Sequence, residues 1–360
     1  MSKWDLGKVS SITMGQSPPS ETYNSEKIGL PFFQGKSDFG IMYPSVRIHC
    51  DQPQKVAEAG DILISVRAPV GSTNIANQKC CIGRGLAAIS ALPKITHNKY
   101  IFYYLRYCEK KIESMGVGST FKAISKKDLE TIQIPIPPLP IQQKIACLFD
   151  LIDFLIAKRR KQIELLDLLV KAQFVGMFGD PVTNPMRWEI KVLSQICENL
   201  DSRRIPITST DRNKGSYPYY GASGIVDYVD DYIFDDDLLL ISEDGANLLA
   251  RVTPIAFSVS GQIWVNNHAH VLKFCEKATQ IYVEHYINLI NISNYITGTA
   301  QPKLNQAQLN LFSIPLPPLP LQTCFADFVK QADKSKFVLQ KGVKIWESLQ
   351  FYIDNQRNML

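Results

Sequence analysis

Residues 134–143 read IPIPPLPIQQ and residues 314–323 read IPLPPLPLQT, with the same proline spacing and an offset of 180 residues. Proline lacks a backbone N–H donor and disfavours helical geometry in the residue before it, so each phrase must run extended. Proline is tolerated in the first turn of a helix, which allows a helix to begin near Pro140 and again near Pro320. The sequence therefore predicts an extended segment that leads into a helix, present twice.

The two phrases belong to a longer internal repeat. At the same offset, Gln142 matches Gln322 and Asp153 matches Asp333. The matching segments upstream are WDLGKV (4–9) and WEIKVL (188–193), PFFQG (31–35) and PYYG (218–221), and LIS at 63–65 and at 240–242. Their order holds while their spacing drifts, which indicates one domain in two copies with different loops. A chain of 360 residues is also longer than a single core usually supports.

Each copy predicts strands followed by a helix. Short apolar and β-branched runs punctuated by Gly, Pro and Asn are typical of strands. They are DILISV (61–66), CCIGRGLAAISAL (80–92), DLLLIS (237–242) and IAFSVSGQIWVNN (255–267). Tyrosine-rich helical stretches follow at 98–113 and 279–292. The predicted fold class is α+β, with two similar domains of mixed β-sheet and helices.

A long sequence with few helix breakers follows each proline phrase. Seven-residue series of mostly apolar side chains run through both sequences, as expected of helices that pack lengthwise on each other. The predicted contact positions are Ile145, Ile152, Ile156, Ile163, Val170, Leu339, Trp346 and Ile353. The alternative is that each helix only covers its own domain. The predicted organisation is a first domain at 1–140, a first long helix at 141–180, a second domain at 181–318 and a second long helix at 319–360.

Composition and charge limit the classes of protein. No stretch approaches the roughly 20 consecutive apolar residues that a helix needs to cross a bilayer. The N-terminal segment MSKWDLGKVSSITMG lacks the apolar core of a signal peptide, so a cytoplasmic location is expected. The net charge is +5, but residues 1–140 carry +6 and residues 181–318 carry −4. A basic first domain fits a polyanionic partner, whereas charge alone does not predict such a partner for the second domain.

No motif for catalysis or metal binding stands out. The eight cysteines form no C-x-x-C pair and have no histidine at zinc spacing, so reduced thiols are expected. The sequence contains no G-x-x-x-x-G-K-[ST], no Asn/Asp-Pro-Pro-Tyr/Phe and no G-x-G-x-x-G after a strand. GVGS (116–119) has one G-x-G and is a weak candidate for contact with phosphate. We expect no catalytic residue and no metal ligand in this chain.

Two similar domains joined by a long helix suit a target that is itself split. Double-stranded DNA is the standard example, because half-sites recur along the duplex and a rigid spacer sets the number of unread base pairs between them. Loops that differ between the copies would then let each domain read a different half-site.

The order of two diverged domains, each followed by I-P-x-P-P-L-P-x-Q and a long helix, resembles the specificity (S) subunit of type I restriction-modification systems. The resemblance covers essentially the whole chain. It includes GDILISVRAPVG (60–71), GRGLAAI (83–89), DSRRIPIT (201–208), YPYYGASGIVDYVDDY (217–232), ISEDGANLL (241–249) and VNNHAHVL (265–272). No single segment is specific to this family, but their order and their duplication together are.

The resemblance implies a non-catalytic DNA reader with two target recognition domains. It also implies that the long helices form an antiparallel coiled coil that fixes the gap of an interrupted site. The implied partners are two modification subunits, which bind S-adenosylmethionine and methylate adenine, and restriction subunits, which use ATP and Mg²⁺. The cofactors are therefore expected in the partner subunits and not in this chain.

Basic and polar residues in loops are the candidates for contact with phosphates and base edges. The predicted DNA-binding residues are Lys36, Arg67, Arg84 and Lys122 in the first copy, and Arg203, Arg204, Lys214, Ser223, Arg251, Asn267 and Lys303 in the second. For each of them the alternative is a solvated surface position. His268 and His270 lie in a strand-like run and are expected to be structural rather than ligands.

Three other functions stay open at this point. The chain could be an assembly scaffold whose paired helices bind proteins, its proline phrases could be ligands for peptide-binding grooves, or its domains could carry duplicated active sites. Duplicated active sites require a matching set of catalytic side chains in the two copies, and the aligned segments provide no such set. The acidic run DDYIFDDD (230–237) would repel phosphate, so it is expected to lie away from DNA or against a basic partner.

Overall fold

The computed structural model describes residues 3–118, 122–298 and 301–356, with side chains described as far as Ser348. Within these ranges the chain forms two compact units. The first unit comprises Met1–Arg159 together with Gly342–Leu360, and the second comprises Arg160–Lys341. Ser119, the last residue of the GVGS segment, lies outside the described residues. The side chain of Ile353, a predicted helix contact, lies outside the described side chains.

The first unit is built from short strands and four short helices before its long helix. Its strands are β1 (Lys3–Asp5), β2 (Ser10–Met14), β3 (Tyr23–Asn24), β4 (Leu30–Phe33), β5 (Ile48–Cys50), β6 (Val56–Ala57), β7 (Ile62–Ser65), β8 (Thr73–Ile75), β9 (Cys80–Ile82), β10 (Leu86–Ala91) and β11 (Gln133–Pro135). Its helices are α1 (Leu6–Val9), α2 (Asn98–Tyr107), α3 (Glu109–Met115), α4 (Lys126–Glu130) and the start of α5 (Leu139–Phe178). The strand orders are β1-β11, β2-β10-β7-β8 and β3-β5-β4-β9-β6.

The second unit has the same kind of elements. Its strands are β12 (Glu189–Val192), β13 (Glu198–Asn199), β14 (Lys214–Gly221), β15 (Gly224–Val229), β16 (Phe234–Asp235), β17 (Leu238–Ser242), β18 (Ala256–Val259), β19 (Gln262–Val265), β20 (Ala269–Lys273) and β21 (Ser313–Leu316). Its helices are α6 (Asn247–Ala250), α7 (Lys277–Leu289), α8 (Gln306–Asn310) and most of α9 (Leu319–Gln356). The strand orders are β12-β21, β13-β20-β17-β18 and β15-β14-β19-β16.

The two units share one topology. The order β2-β10-β7-β8 in the first unit corresponds strand by strand to β13-β20-β17-β18 in the second. A parallel pair occurs at the same place in each, between β4 and β9 and between β14 and β19. The repeat predicted from the proline phrases is therefore a repeat of the fold, which confirms the predicted α+β class with two similar domains.

Tyrosines of the predicted helices hold the proline phrases. The phrases pair as strands, β11 with β1 and β21 with β12. The buried hydroxyl of Tyr100 donates a hydrogen bond to the carbonyl oxygen of Pro135 at 2.7 Å, and Tyr282 makes the equivalent bond to Pro315. Each phrase thus has a buried backbone acceptor that a tyrosine satisfies, which explains why the helical stretches are rich in that residue.

Each long helix packs on the core of a unit. In the first unit Phe149 of α5 is buried in the core and stacks on Tyr103 with ring centroids 4.9 Å apart. In the second unit Phe174 of α5 contacts Tyr282 of α7 and Phe325 of α9, with centroids 5.3 and 5.4 Å apart. The start of α5 thus packs on the first unit, but its later part packs in the core of the second, so the alternative in which each helix only covers its own domain is wrong for α5.

The long helices also pack on each other. In the first unit Ile152 and Ile156 of α5 form a cluster with Val343 and Trp346 of α9. In the second unit Asp167 of α5 pairs with Lys336 of α9, while Phe174 further along α5 meets Phe325 earlier in α9. The pairing is antiparallel, as an antiparallel coiled coil requires.

The other predicted helix contacts are distributed differently. Ile145 packs against the core of the first unit, and Val170 belongs to the core of the second. Ile163 and Leu339 are half-buried. In the part of the chain that the structure describes, no helix is long and apolar enough to cross a membrane.

Candidate nucleic-acid interface

Four loops of the first unit meet at one edge of its sheets, which we call the first edge. They follow β2, β4, β7 and β9. Strands β4 and β9 are parallel neighbours, and β2 and β7 run in the same direction because both pair antiparallel with β10. Backbone hydrogen bonds join them, from Gly83 N–H to Phe33 O at 2.8 Å and from Val66 N–H to Gly85 O at 2.9 Å. A Cβ at Gly85 would lie 2.3 Å from the carbonyl oxygen of Gln34, so glycine permits this close approach.

The first edge gathers all four predicted DNA-binding residues of the first copy. Arg67 follows β7 and forms an isolated bridge with Ala123, next to Lys122. Arg84 follows β9, and its N–H donates to Ser17 Oγ at 3.2 Å. Lys36 follows β4, with Nζ 3.9 Å from Glu109 Oε1. All four side chains are exposed, which suits contact with phosphates or base edges.

The second unit builds an equivalent edge, which we call the second edge. Asn266 N–H donates to Tyr220 O at 3.1 Å, and Glu243 N–H donates to His268 O at 2.9 Å. These bonds correspond to those of Gly83 and Val66 in the first unit, so the two edges can be compared residue by residue. The bridge between Asp244 and Lys303 likewise matches that between Arg67 and Ala123, which puts Lys122 one residue before the equivalent of Lys303.

The side chains on the two edges differ although these backbone hydrogen bonds and bridges recur. Asp244 takes the place of Arg67, and its carboxylate lies 2.8 Å from Nδ1 of His268. The equivalent of Arg84 is Asn267, which is exposed. Ser223 is exposed in the turn after β14. Lys303 also lies at the second edge, with Nζ 3.1 Å from Glu243 Oε1.

A buried ionic network underlies the second edge. The Arg204 side chain is 14% exposed, and its Nη1 donates to Glu243 Oε2 at 2.6 Å and to Ala269 O at 2.9 Å. His270, fully buried, has Nδ1 2.6 Å from Asp201 Oδ2. Arg204 and His270 thus face protein acceptors, and the structure favours a role for both in holding the edge. DNA contact by Arg204 stays a prediction.

The network has an apolar equivalent in the first unit. Strand register matches His270 with Ala87, the same register continued two residues past β13 matches Asp201 with Met14, and the edge bonds match Glu243 with Val66. Burial raises the pKa of the Asp201 carboxyl, but hydrogen bonds from His270 and the Val271 N–H, together with the charge of Arg204, bring it below its usual value.

Three predicted residues lie apart from these loops. Lys214 begins β14, whereas the second edge lies at the other end of that strand, after Gly221. Arg251 follows α6 with φ of 52°, and its guanidinium donates to the carbonyls of Ile287 and Ile290 at the end of α7. Burial lowers the pKa of Arg251. Arg203 is exposed, with its guanidinium carbon 5.0 Å from the centre of the Phe234 ring.

Sequence reasoning missed the acidic members of the second edge, Glu243 and Asp244. The signal was available in the repeat, because ISVR at 64–67 aligns with ISED at 241–244. Among the residues that the structure describes, no group of three His, Cys, Asp or Glu side chains is arranged to hold a metal ion.

Comparison with known proteins gives one family. The family model described as the type I restriction modification DNA specificity domain matches residues 1–165 and again 185–345. A relative from Methanocaldococcus jannaschii, named "Putative type I restriction enzyme MjaX specificity subunit", is 54% identical over 157 residues, which cover 44% of this chain and 37% of the relative. That match thus spans little more than a third of the relative's length.

Two further likenesses extend over most of the chain. The type I restriction enzyme MjaIX specificity subunit of the same organism is 23% identical over 333 residues, covering 82% of this chain and 76% of the relative. The crystal structure of the type I restriction-modification system S subunit from M. genitalium matches 98% of this chain and 94% of its own, with a TM-score of 0.64 and 16% identity. At 16% identity, the match to the M. genitalium S subunit is a likeness of fold alone.

Proposed function

The chain belongs to the type I restriction-modification DNA specificity family, and on this premise we propose that it is the DNA-recognition subunit of a type I complex. Each unit reads one half of an interrupted duplex site. The chain itself is a specificity subunit and not a catalytic one. S-adenosylmethionine, ATP and Mg²⁺ belong, in this proposal, to the partner subunits.

The observation that carries the proposal is the pair of equivalent edges. Each unit uses the same backbone bonds to bring together the loops after equivalent strands, yet position 67 is arginine where the second unit has Asp244. A conserved frame with exchanged side chains supports a reader of two different sequences. A pure structural repeat gives no reason for a change of sign at this position, where Arg67 is exposed and the Asp244 side chain is 17% exposed.

The chemistry of the two edges supports different half-sites. Arginine can donate two hydrogen bonds to guanine O6 and N7, and lysine suits phosphate, so Arg67, Arg84 and Lys122 fit a duplex directly. Asparagine pairs with adenine N6 and N7, and serine accepts or donates to several bases, so Asn267 and Ser223 fit the second half-site. Asp244 disfavours phosphate beside it, whereas Glu243 is paired with Arg204 and Lys303.

The long helices offer surfaces for protein partners. In the first unit Leu148, Leu151 and Phe154 of α5 are each between 45% and 53% exposed. In the second unit Leu165, Leu168 and Leu169 of the same helix are each between 49% and 61% exposed. Exposed apolar rows of this kind support the docking of two modification subunits, and restriction subunits join through them. We place this assembly in the cytoplasm, and we assign the gap between half-sites to the paired helices.

The competing function is a scaffold that binds the partner subunits without reading DNA. The two functions differ in sequence specificity. The test is to express the chain with its modification subunit, map methylated adenines by single-molecule sequencing, and then measure binding of the purified complex to the duplex found. A methylated bipartite motif and tight, salt-dependent binding to that duplex are expected. Methylation without a motif, or equal affinity for unrelated duplexes, would contradict DNA recognition and favour the scaffold function.

A further inference from the structure

Two glutamines lie at the first edge, Gln16 after β2 and Gln34 directly after β4. Both side chains are exposed, and within the described ranges neither side-chain amide has a hydrogen-bond partner. A primary amide offers two N–H donors and one carbonyl acceptor. The first edge therefore presents two neutral hydrogen-bonding groups that no protein group uses.

The backbone at Gln16 is held against the turn between β9 and β10, residues 83–85, which we call the β9–β10 turn. Gln16 N–H donates to the carbonyl oxygen of Ile82, the last residue of β9, at 3.0 Å. The next side chain, Ser17 Oγ, accepts from the N–H of Arg84 at 3.2 Å. Gln16 thus lies beside the turn that carries Arg84.

The backbone at Gln34 is held against the same turn. Its N–H donates to Oδ2 of the buried Asp38 at 2.7 Å, and its carbonyl oxygen lies so close to Gly85 that a Cβ there would be 2.3 Å from it. Gly85 O in turn accepts from Val66 N–H at 2.9 Å, and Arg67 follows Val66. The β9–β10 turn therefore joins Gln34 to the loop that carries Arg67.

The cations beside the two glutamines are available to a polyanion. Arg67 and Arg84 are exposed, and in the part of the chain that the structure describes neither forms an ion pair with Asp or Glu. Two uncommitted cations and two uncommitted amides thus surround one turn whose backbone is fixed before a ligand binds, which lowers the entropy lost on binding. Such a surface complements a duplex, in which charged phosphates border the donors and acceptors of the base edges.

The second unit places no glutamine at its edge. Gly221 is the equivalent of Gln34, because the carbonyls before them, of Phe33 and Tyr220, accept equivalent hydrogen bonds. Residues 200–213, which connect β13 to β14, contain no glutamine. The two amides therefore belong to the first copy alone, as expected of groups that distinguish one half-site from the other.

We propose that Gln16 and Gln34 are specificity-determining residues of the first unit, whose side-chain amides hydrogen-bond to adenines of the first half-site in the major groove. This inference rests on the proposed function and names residues that perform it. The amide of glutamine matches N6 and N7 of adenine, to which it donates one hydrogen bond and from which it accepts another. Because glutamine is uncharged, its contribution is to the choice of base and not to the salt-dependent attraction between protein and DNA.

The test uses the full chain in complex with its modification subunit and the duplex motif found by methylation mapping. Affinity is measured for the cognate duplex and for duplexes in which each A·T pair of either half-site is replaced in turn by G·C. The variants are Q16A and Q34A. The matched control is Q78A, because Gln78 is exposed in the same unit but precedes β9, at the opposite end of that strand from Arg84.

For Q16A and for Q34A we expect the discrimination against G·C at an A·T pair of the first half-site to fall about tenfold. Discrimination across the second half-site should be unchanged, and so should the slope of log affinity against log salt, because no charge is removed. Q78A should behave as the wild type.

Unchanged discrimination at every A·T pair of the first half-site in either variant, an equal loss at every pair of both half-sites, or a smaller salt slope would each overturn the proposal. A wild-type complex that fails to distinguish the cognate duplex from any substituted one would instead contradict the proposed function. The two failures are thereby separable.

Discussion

Nδ1 of His270 lies 2.6 Å from Oδ2 of Asp201, and Nε2 of the same buried ring lies 2.8 Å from the carbonyl oxygen of Leu304. A carboxylate and a carbonyl can only accept, so each ring nitrogen faces a hydrogen-bond acceptor. In the first unit the matching positions are Met14 and Ala87. One copy of the fold therefore uses an ionic contact where the other uses an apolar one.

Asp201→Asn should destabilise the second unit and leave the first unchanged. The substitution removes one charge and leaves His270 and Arg204 buried beside a neutral amide. Removing one partner of a buried ion pair costs about 3–5 kcal/mol. Hydrogen exchange during urea unfolding, followed in β17 and β20 and compared with β7 and β10, measures the two units separately.

The matched control replaces the whole network. D201M/R204S/E243V/H270A installs the side chains found at the equivalent positions Met14, Ser17, Val66 and Ala87. A buried ionic network exchanged as a whole for uncharged side chains that pack in the same fold loses less stability than one that is broken. We expect this variant to unfold at higher urea concentration than D201N, and the reverse order would contradict the ionic account.

The same network predicts acid sensitivity of the second unit. Burial raises the pKa of Glu243, but Arg204, His270 and Lys303 outweigh it and bring the pKa below the usual 4.5, and Asp201 is likewise held below 3.8. A carboxyl whose pKa is depressed in the folded state stabilises above its unfolded pKa, and this stabilisation is lost as pH falls through the folded value.

The free energy of unfolding of the wild type, relative to that of D201M/R204S/E243V/H270A, should therefore fall as pH is lowered below about 4.5. Urea midpoints measured from pH 7 downward test this. Parallel curves for the two proteins would show that neither carboxyl contributes in the way described. The basic residues that face Asp201 and Glu243 are Arg204, His270 and Lys303. Unfolding of the first unit serves as the internal reference.

Tyr100→Phe should destabilise the first unit because it removes the buried hydrogen bond to Pro135. Tyr100 is 1% exposed, and its loss leaves the Pro135 carbonyl without that donor. An unsatisfied buried acceptor costs about 1–3 kcal/mol. Tyr282→Phe should act equally on the second unit. Tyr228→Phe, at a position 50% exposed, is the control and should leave the thermal midpoint unchanged.

The sequence predicted the duplication because the order of strand-like segments, the tyrosine-rich stretches and the proline phrases all occur twice along the chain. The start of α5 at Leu139 agrees with a helix predicted near Pro140. The roles of single cations could not be read in this way. Arg204 and Arg203 are neighbours in sequence, yet only the fold brings Glu243 to Arg204 and leaves Arg203 exposed. Arg251 is similar, since its acceptors Ile287 and Ile290 lie in the last turn of a later helix and directly after it.

Removing cations of the first edge should weaken DNA binding and reduce its dependence on salt. R67A, R84A and K122A each remove an exposed charge from the proposed contact surface. Each lost phosphate contact lowers the slope of log affinity against log salt by about 0.9. K79A is the control, because Lys79 precedes β9, at the opposite end from Arg84, and pairs with Glu58 at 2.7 Å. If the slope of log affinity against log salt is unchanged in all three variants, the first edge does not contact DNA.

Lengthening both long helices by one heptad should lengthen the unread gap of the target. Helix α5 is continuous through the boundary between the units at Arg159 and Arg160, within the segment 157–166. Seven inserted residues add about 10.5 Å and preserve the contact face, which corresponds to about three base pairs. Because the helices pack on each other, the insertion after Ala157 needs a matching heptad after Lys341.

Methylation mapping of the heptad variant reads both half-sites and the gap in one measurement. We expect both half-sites to be unchanged and the gap to grow. An insertion of four residues is the control, since it rotates the contact face by about 40° and should abolish methylation without defining a new gap. Altered half-sites with an unchanged gap would show that the paired helices do not set the spacing.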